Sequence, residues 1–89
     1  MKRNKALDKV KKLISVERAI EHGDMHQNFL TISKYWSNHL GVDVSINDVS
    51  VMMSLLKIAR IKSNKKNLDN YFDAIGYLAL SIETLDSKE

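Results

Sequence analysis

The sequence contains no cysteine and no proline, and only three of its 89 residues are glycine. Without cysteine the chain can form neither a disulfide framework nor a thiolate metal site, which fits a reducing compartment such as the cytoplasm. Without proline, and with so few glycines, little in the chain interrupts long helices. These absences favour a helical domain over a disulfide-rich or loop-rich one.

Long apolar runs and the common catalytic motifs are also missing. No run approaches the ~18 apolar residues of a membrane span, and no signal peptide is visible at the first residues. The chain has no P-loop, no GxGxxG and no Ser/His/Asp order, and its three histidines show no metal-ligand spacing. We therefore expect no membrane association and none of these catalytic chemistries.

Charge is modest in total but unevenly distributed. The net charge is +3, with six cations in residues 1–12, five cations and no acid in residues 57–66, and five acids in residues 69–89. Such polarity can attract an anion, although a solvated charged face is the commoner explanation. Because no aromatic residues are interleaved with the N-terminal lysines, nucleic-acid binding is not expected.

Apolar periodicity predicts four helices in a single domain. They cover about residues 5–22, 24–41, 45–61 and 67–85, with residues 1–4 and 86–89 frayed. The expected N-caps are Asp24, Asn67 and Ser45, the last in a capping box with Asp48. Residues 42–46 alternate in polarity but are too few for a sheet, so they are a connector. The predicted fold is an all-α, four-helix bundle-like domain over residues 1–89.

The predicted core is thin, because a chain of 89 residues lies near the lower size limit for a self-sufficient domain. It is expected to bury four large side chains together: Trp36, Leu56, Phe72 and Ile75. The last helix carries apolar residues over much of its circumference, including Tyr71, Leu78 and Leu80. One small bundle can hardly cover all of them, so a homodimer is expected.

Several polar groups interrupt the apolar stripes. Glu17 and Glu21 lie on one helical face, where like charges repel and require a cation, a metal or solvent; solvated acids are the commoner outcome. Arg60 lies at the edge of an apolar face and needs a fixed partner. Asp73 is expected to be that partner, since the two residues are placed symmetrically about the loop at residues 62–66. Gly76 indicates close approach of a backbone or a ligand.

Short motifs follow one another along the chain: Arg18-x-x-x-His22-Gly23, Asn28-Phe29, Trp36-Ser37, Met52-Met53, Lys57-x-x-Arg60 and Asp73-x-x-Gly76-Tyr77. Together they resemble a family of small phage and prophage proteins, the domain of unknown function numbered 6378. The resemblance covers about residues 16–82. It implies a phage or prophage protein that acts in the cytoplasm of a bacterial host.

A looser similarity concerns chemistry. MazG-like nucleotide pyrophosphatases are all-α proteins that hold Mg²⁺ with EExxE on one helix and ExxD on another, and Mg²⁺ bridges the phosphates of a nucleotide. By this resemblance Glu17 and Glu21 stand for the first motif, and Asp69 with Asp73 for the second. Arg18 and Asn70 occupy positions where the motifs have Glu, so the site could bind a nucleotide without cleaving it. Phage nucleotide-modification-associated helical domains are similar in the same loose sense.

Two classes of function follow from these resemblances. In the first, the protein binds a nucleotide or another phosphate-containing ligand, with Mg²⁺ held by Glu17, Glu21, Asp69 and Asp73, and at most it is a MazG-like nucleotide pyrophosphohydrolase with a degraded metal motif. The expected ligand-binding residues are then Arg18, His22, Trp36, Lys57, Arg60 and Tyr77, with cations on the phosphates and an aromatic ring on the base. In the second, the protein is a non-enzymatic interaction protein, such as a host-directed inhibitor or an anti-defence factor. A bundle whose charges only pair with one another remains a third possibility.

Overall fold

The computed structural model describes residues 1–15 and 24–85, and these ranges form four α-helices. They are α1 Arg3–Leu13, α2 Met25–Leu40, α3 Ile46–Ser63 and α4 Leu68–Thr84. No strand occurs in the described ranges, so the predicted all-α, bundle-like fold is confirmed. Within them, no helix has both the length and the apolar character that a membrane crossing requires.

The ends of α2, α3 and α4 are determined by local interactions at residues whose types predict helix caps. Asp24 and Asn67 each accept a hydrogen bond from the backbone N–H two residues further on, both at 3.1 Å. Ser45 and Asp48 form the predicted reciprocal capping box, with hydrogen bonds of 2.9 Å. Gly41 ends α2 at φ 72°, a left-handed conformation that glycine adopts without steric cost.

The predicted extent of α1 was wrong. The helix ends at Leu13, and Ile14 adopts φ −103° and ψ 11° instead of continuing to residue 22. Ile14 lies beside α4 at Gly76. Packing against α4 therefore outweighs the apolar periodicity that predicted a longer helix. The predicted stop at Gly23 lies outside the described residues.

The main apolar cluster joins α2 to the start of α3. Its buried members are Phe29, Ile46 and Val49. Several half-buried side chains pack around these three: Met25, Leu30, Ile32, Trp36, Val44, Met53 and Tyr77. The α2–α3 connector is held against this cluster by Ser37, whose hydroxyl accepts the Val44 N–H at 2.8 Å.

Helices α3 and α4 form an antiparallel hairpin whose interface is lined by small polar side chains. Ser50 and Ser54 are fully buried, and their hydroxyls donate to the backbone carbonyls of Tyr77 at 2.6 Å and Ala74 at 2.7 Å. Asn47 extends the same row and donates to the carbonyl of Ser81 at 3.0 Å. Short hydroxyl side chains let the two backbones approach closely, while the hydrogen bonds satisfy groups that would otherwise be costly to bury.

The predicted core was therefore wrong in part. Phe72 is buried and Trp36 is half-buried, but Leu56 and Ile75 are 43% and 37% exposed. The prediction assumed that the most apolar arcs of α3 and α4 face each other. The structure instead places the serine row between the helices and turns much of the apolar arc outward.

Gly76 lies where α1 crosses α4. A Cβ at this position would lie 3.1 Å from Ile14 Cγ2, which is tighter than ordinary van der Waals contact. The close approach predicted from the sequence is present, although the neighbour is a side chain of the α1 end and not a backbone or a ligand. Val10, the buried residue of α1, lies beside the same point.

Candidate functional site

A polar cluster lies at the loop end of the α3–α4 hairpin. Lys57 of α3 and Asp73 of α4 form an ion pair, with 3.1 Å between Lys57 Nζ and Asp73 Oδ2. The lysine side chain is 15% exposed and the aspartate side chain 36% exposed. The pair is thus partly withdrawn from solvent, yet the carboxylate can still be reached from outside.

The expected pairing of Asp73 with Arg60 was wrong, because Lys57 takes that place. Lys57 continues the row of Ser50 and Ser54 at helical spacing, so it faces α4. Arg60 lies one turn further along α3, rotated by about 60° from Lys57, and it is exposed. The symmetry of the two helices about their loop predicts the correct end of α3 for the partner of Asp73, but the wrong turn of that helix.

Asn70 also belongs to the polar cluster, although it was not predicted as a site residue from the sequence. It lies one turn before Asp73 on α4 and is only 8% exposed. Among the described residues no side-chain N or O atom is both buried and without a hydrogen-bond partner, so an amide atom of Asn70 that makes no hydrogen bond within the chain is reached by solvent. Its i, i+3 spacing from Asp73 was the available signal, but in the comparison with ExxD this residue counted only as a departure from the motif.

The carboxylates assigned to magnesium are divided between described and undescribed parts of the chain. Asp69 and Asp73 lie one turn apart on α4, and Asp69 is exposed. Glu17 and Glu21 lie outside the described residues. Among the residues that the structure describes, no group of three or more His, Cys, Asp or Glu side chains could hold a metal ion.

The predicted ligand-binding residues are not all in one place. Lys57 belongs to the polar cluster and Arg60 lies near it, whereas Trp36 and Tyr77 pack against the α2–α3 core. The ring of Tyr77 lies 5.8 Å from that of Phe29, centroid to centroid. Arg18 and His22 fall outside the described residues, so their predicted roles stay predictions.

A separate cavity of about 310 Å³ lies at the other end of α4. Its lining includes the carboxylates Asp24 and Glu83 and the apolar side chains Phe29 and Ile46. Glu83 is about 15 Å from Asp73 along the helix axis, at 1.5 Å per residue. One magnesium ion, with ligands at about 2 Å, therefore cannot be shared by the cavity and the polar cluster.

Comparison with known protein families assigns the chain to one family. The family described as "Domain of unknown function (DUF6378)" matches residues 5–85. The chain belongs to the DUF6378 family. It is also similar to two mycobacteriophage proteins, each named "Gene 55 protein". The protein from Mycobacterium phage D29 is 35% identical over 71 residues, which cover 80% of this chain and 47% of that protein.

The second DUF6378 relative is the protein from Mycobacterium phage L5, 38% identical over 72 residues that cover 80% of this chain and 46% of that protein. The chain therefore spans about half the length of these two relatives. No solved structure matches it. The match over residues 5–85 includes every residue of the polar cluster as well as the undescribed residues 16–23.

Proposed function

We propose that this DUF6378 chain binds a phosphate-containing ligand, of the nucleotide class, at the polar cluster formed by Lys57, Asn70 and Asp73. The observation that carries the proposal is the partly buried Lys57–Asp73 ion pair at one end of a helical hairpin, with the side chain of Asn70 one turn away. Arg60 is the nearby cation on α3, and residues 62–66 add three lysines. Cations at this density suit phosphate oxygens.

The oxygen donors at the cluster are of the type that magnesium prefers, although they make up only part of a ligand set. Asp73 uses Oδ2 in the pair with Lys57, and no described residue donates to its other oxygen. Asn70 and Asp69 add further hard oxygen donors within one helical turn. Mg²⁺ is commonly bound by one or two carboxylates, with water and substrate phosphates completing an octahedron. When bound, the metal would neutralise phosphate charge, and Lys57 would orient the Asp73 carboxylate.

The proposal extends the resemblance to MazG-like pyrophosphatases without assigning a reaction. Glu17 and Glu21 would supply the second set of carboxylates from the other motif, and Arg18 and His22 would contact the ligand. Trp36 and Tyr77 contribute to the core, so a role at the base would require one edge of either ring to remain accessible. In keeping with the phage relatives, we place the activity inside the host cell.

Calorimetric titration of the whole chain with nucleoside triphosphates, with and without Mg²⁺, tests the proposal. We expect binding that requires Mg²⁺ and that weakens by more than about tenfold in Asp73→Asn, because the amide cannot replace the carboxylate charge. Asn70→Ala should also weaken binding. The control is Asp43→Asn, which removes an exposed acid in the α2–α3 connector and should leave binding unchanged.

The stability of the same variants separates a ligand site from a purely structural pair. If Lys57 and Asp73 only stabilise the hairpin, Asp73→Asn lowers the free energy of unfolding by about 1–2 kcal/mol and the wild-type chain binds no nucleotide. That result would favour the alternative of an interaction protein directed at a host factor. Assaying the titrated samples for released pyrophosphate shows whether binding leads to hydrolysis.

A further inference from the structure

Among the described residues, the α3–α4 hairpin is covered on one side only. The hairpin interface contains Asn47, Ser50 and Tyr77. The residue directly before each of them faces α1 or α2: Ile46 and Val49 lie in the core, and Gly76 contacts α1. Residues that directly follow interface residues turn to the opposite side, because one residue is a rotation of about 100°. As α3 and α4 are antiparallel, this step turns both helices toward the same outer face. That outer face has no covering element among the described residues.

The outer face of α4 carries a regular apolar stripe. Six large side chains recur at intervals of three and four residues, and all are exposed: Leu68, Tyr71, Ile75, Leu78, Ile82 and Leu85. This is the a/d spacing of a coiled-coil seam. It extends for about 25 Å at 1.5 Å per residue. On α3, Leu55 and Ile58 lie on the same face and are 57% and 48% exposed.

The area of this face matches what a stable dimer needs. Its eight large apolar side chains are on average about half exposed. Because seven of the eight are aliphatic, we take about 150 Å² for each side chain, the lower end of the range for aromatic ones. They then present on the order of 600 Å², which is one partner's share of a specific interface of about 1,200 Å² in total, the lower end of the usual range. The largest apolar patch of an ordinary monomer is about 300–600 Å².

Charge at the two ends of the stripe favours an antiparallel arrangement. Before Leu68, Lys62 lies in the last turn of α3 and Lys65 and Lys66 lie in the loop, and these three cations outnumber Asp69 in the first turn of α4. The last turns of α4 carry Glu83 and no cation. The helix dipole has the same polarity, positive at the start of α4 and negative at its end. Two antiparallel copies bring the basic end of each against the acidic end of the other. The positions that flank the stripe on the helical wheel are uncharged, and they are already buried or half-buried within one copy: Phe72, Ala74, Ala79 and Ser81.

We propose that the occupant of this face is a second copy of the chain, packed with its α4 antiparallel to the first across a two-fold axis between Ile75 and Leu78. In this register Tyr71 faces Ile82 of the other copy, and Leu68 faces Leu85. The proposal is independent of the polar cluster and of nucleotide binding. It specifies the homodimer expected from the apolar circumference of α4.

Sedimentation of the 89-residue chain over a wide concentration range tests the interface. We expect twice the monomer mass at high concentration, and the monomer mass for Leu78→Lys at every concentration, with unchanged helical circular dichroism. Leu40→Lys is the matched control, since Leu40 is 57% exposed on α2 away from the stripe, and it should remain dimeric. A monomeric wild-type chain, or a dimer unaffected by Leu78→Lys, would overturn the proposal.

Disulfide trapping tests the orientation even where Leu78→Lys fails to fold. The natural chain has no cysteine, so single substitutions report without background. Tyr71→Cys mixed with Ile82→Cys should give the mixed disulfide dimer under oxidation, and little of either homodimer. A predominance of Ile82→Cys homodimers would show a parallel pairing and contradict the proposed register.

Discussion

At the residue scale, the size of two serines determines how closely the hairpin helices pack. Ser54 is 1% exposed and donates to the Ala74 carbonyl at 2.7 Å. Ser50 repeats this contact one turn earlier against the Tyr77 carbonyl. A larger apolar residue would raise local hydrophobicity but would force the backbones apart. The contact therefore depends on small volume together with a donor.

We expect Ser54→Val to be more destabilising than Ser54→Ala. The alanine variant loses one hydrogen bond, about 1 kcal/mol of the free energy of unfolding. The valine variant loses the same bond and overpacks the interface, for a total of about 2–4 kcal/mol. Urea denaturation measures both. Ser63→Val, at an exposed position of the same helix, should change stability by less than about 0.5 kcal/mol. A Ser54→Val chain as stable as Ser54→Ala would contradict the close packing.

Individual residues also show which structural features could be predicted from the sequence. The caps at Asp24, Ser45 and Asn67 were predictable because each acts on backbone groups within three residues. The partner of Asp73 was not, because it depends on which face α3 turns toward α4. That orientation is set by the burial of Ser50 and Ser54, and buried serines carry no apolar signal. The same reason explains why Asn70 was not recognised as part of the site.

At the scale of elements, α1 and α4 meet at a glycine. Gly76 costs the interior of α4 about 1 kcal/mol relative to alanine, yet a Cβ there would press on Ile14 Cγ2. The loss of helix propensity and the gain of close contact therefore oppose each other. The position of this crossing also accounts for the early end of α1, which the apolar periodicity of the sequence did not indicate.

We expect Gly76→Ala to be nearly neutral alone and stabilising by about 1 kcal/mol in an Ile14→Ala background. Removing the Ile14 side chain vacates the space that the new methyl group requires, so only the gain in helix propensity remains. A double-mutant cycle by urea denaturation gives the coupling energy, which should be about 0.5–1 kcal/mol. Equal stabilisation in both backgrounds would mean that Ile14 does not restrict this position.

At the scale of the whole molecule, the α3–α4 hairpin is the layer on which the other two described helices pack. Helix α2 packs on α3, and α1 packs on α4. The two covering helices are not equivalent. Helix α2 contributes Phe29 and several half-buried side chains to the main cluster, whereas α1 buries only Val10. The sequence predicted four helices but not this hierarchy, because α1 shows as clear an apolar stripe as the others.

Unequal burial predicts unequal local stability. We expect amide hydrogens of α1 to exchange through local opening, at a lower free energy than those of α3 and α4, because releasing α1 exposes little apolar surface. Hydrogen exchange followed by NMR measures this residue by residue. Val10→Ala should lower protection throughout α1 while leaving the hairpin nearly unchanged. The matched control is Leu7→Ala, at a residue of α1 that is exposed and should have little effect. If α1 and the hairpin share one exchange free energy, and Val10→Ala lowers both equally, the molecule unfolds as a single unit and α1 is an integral part of its core.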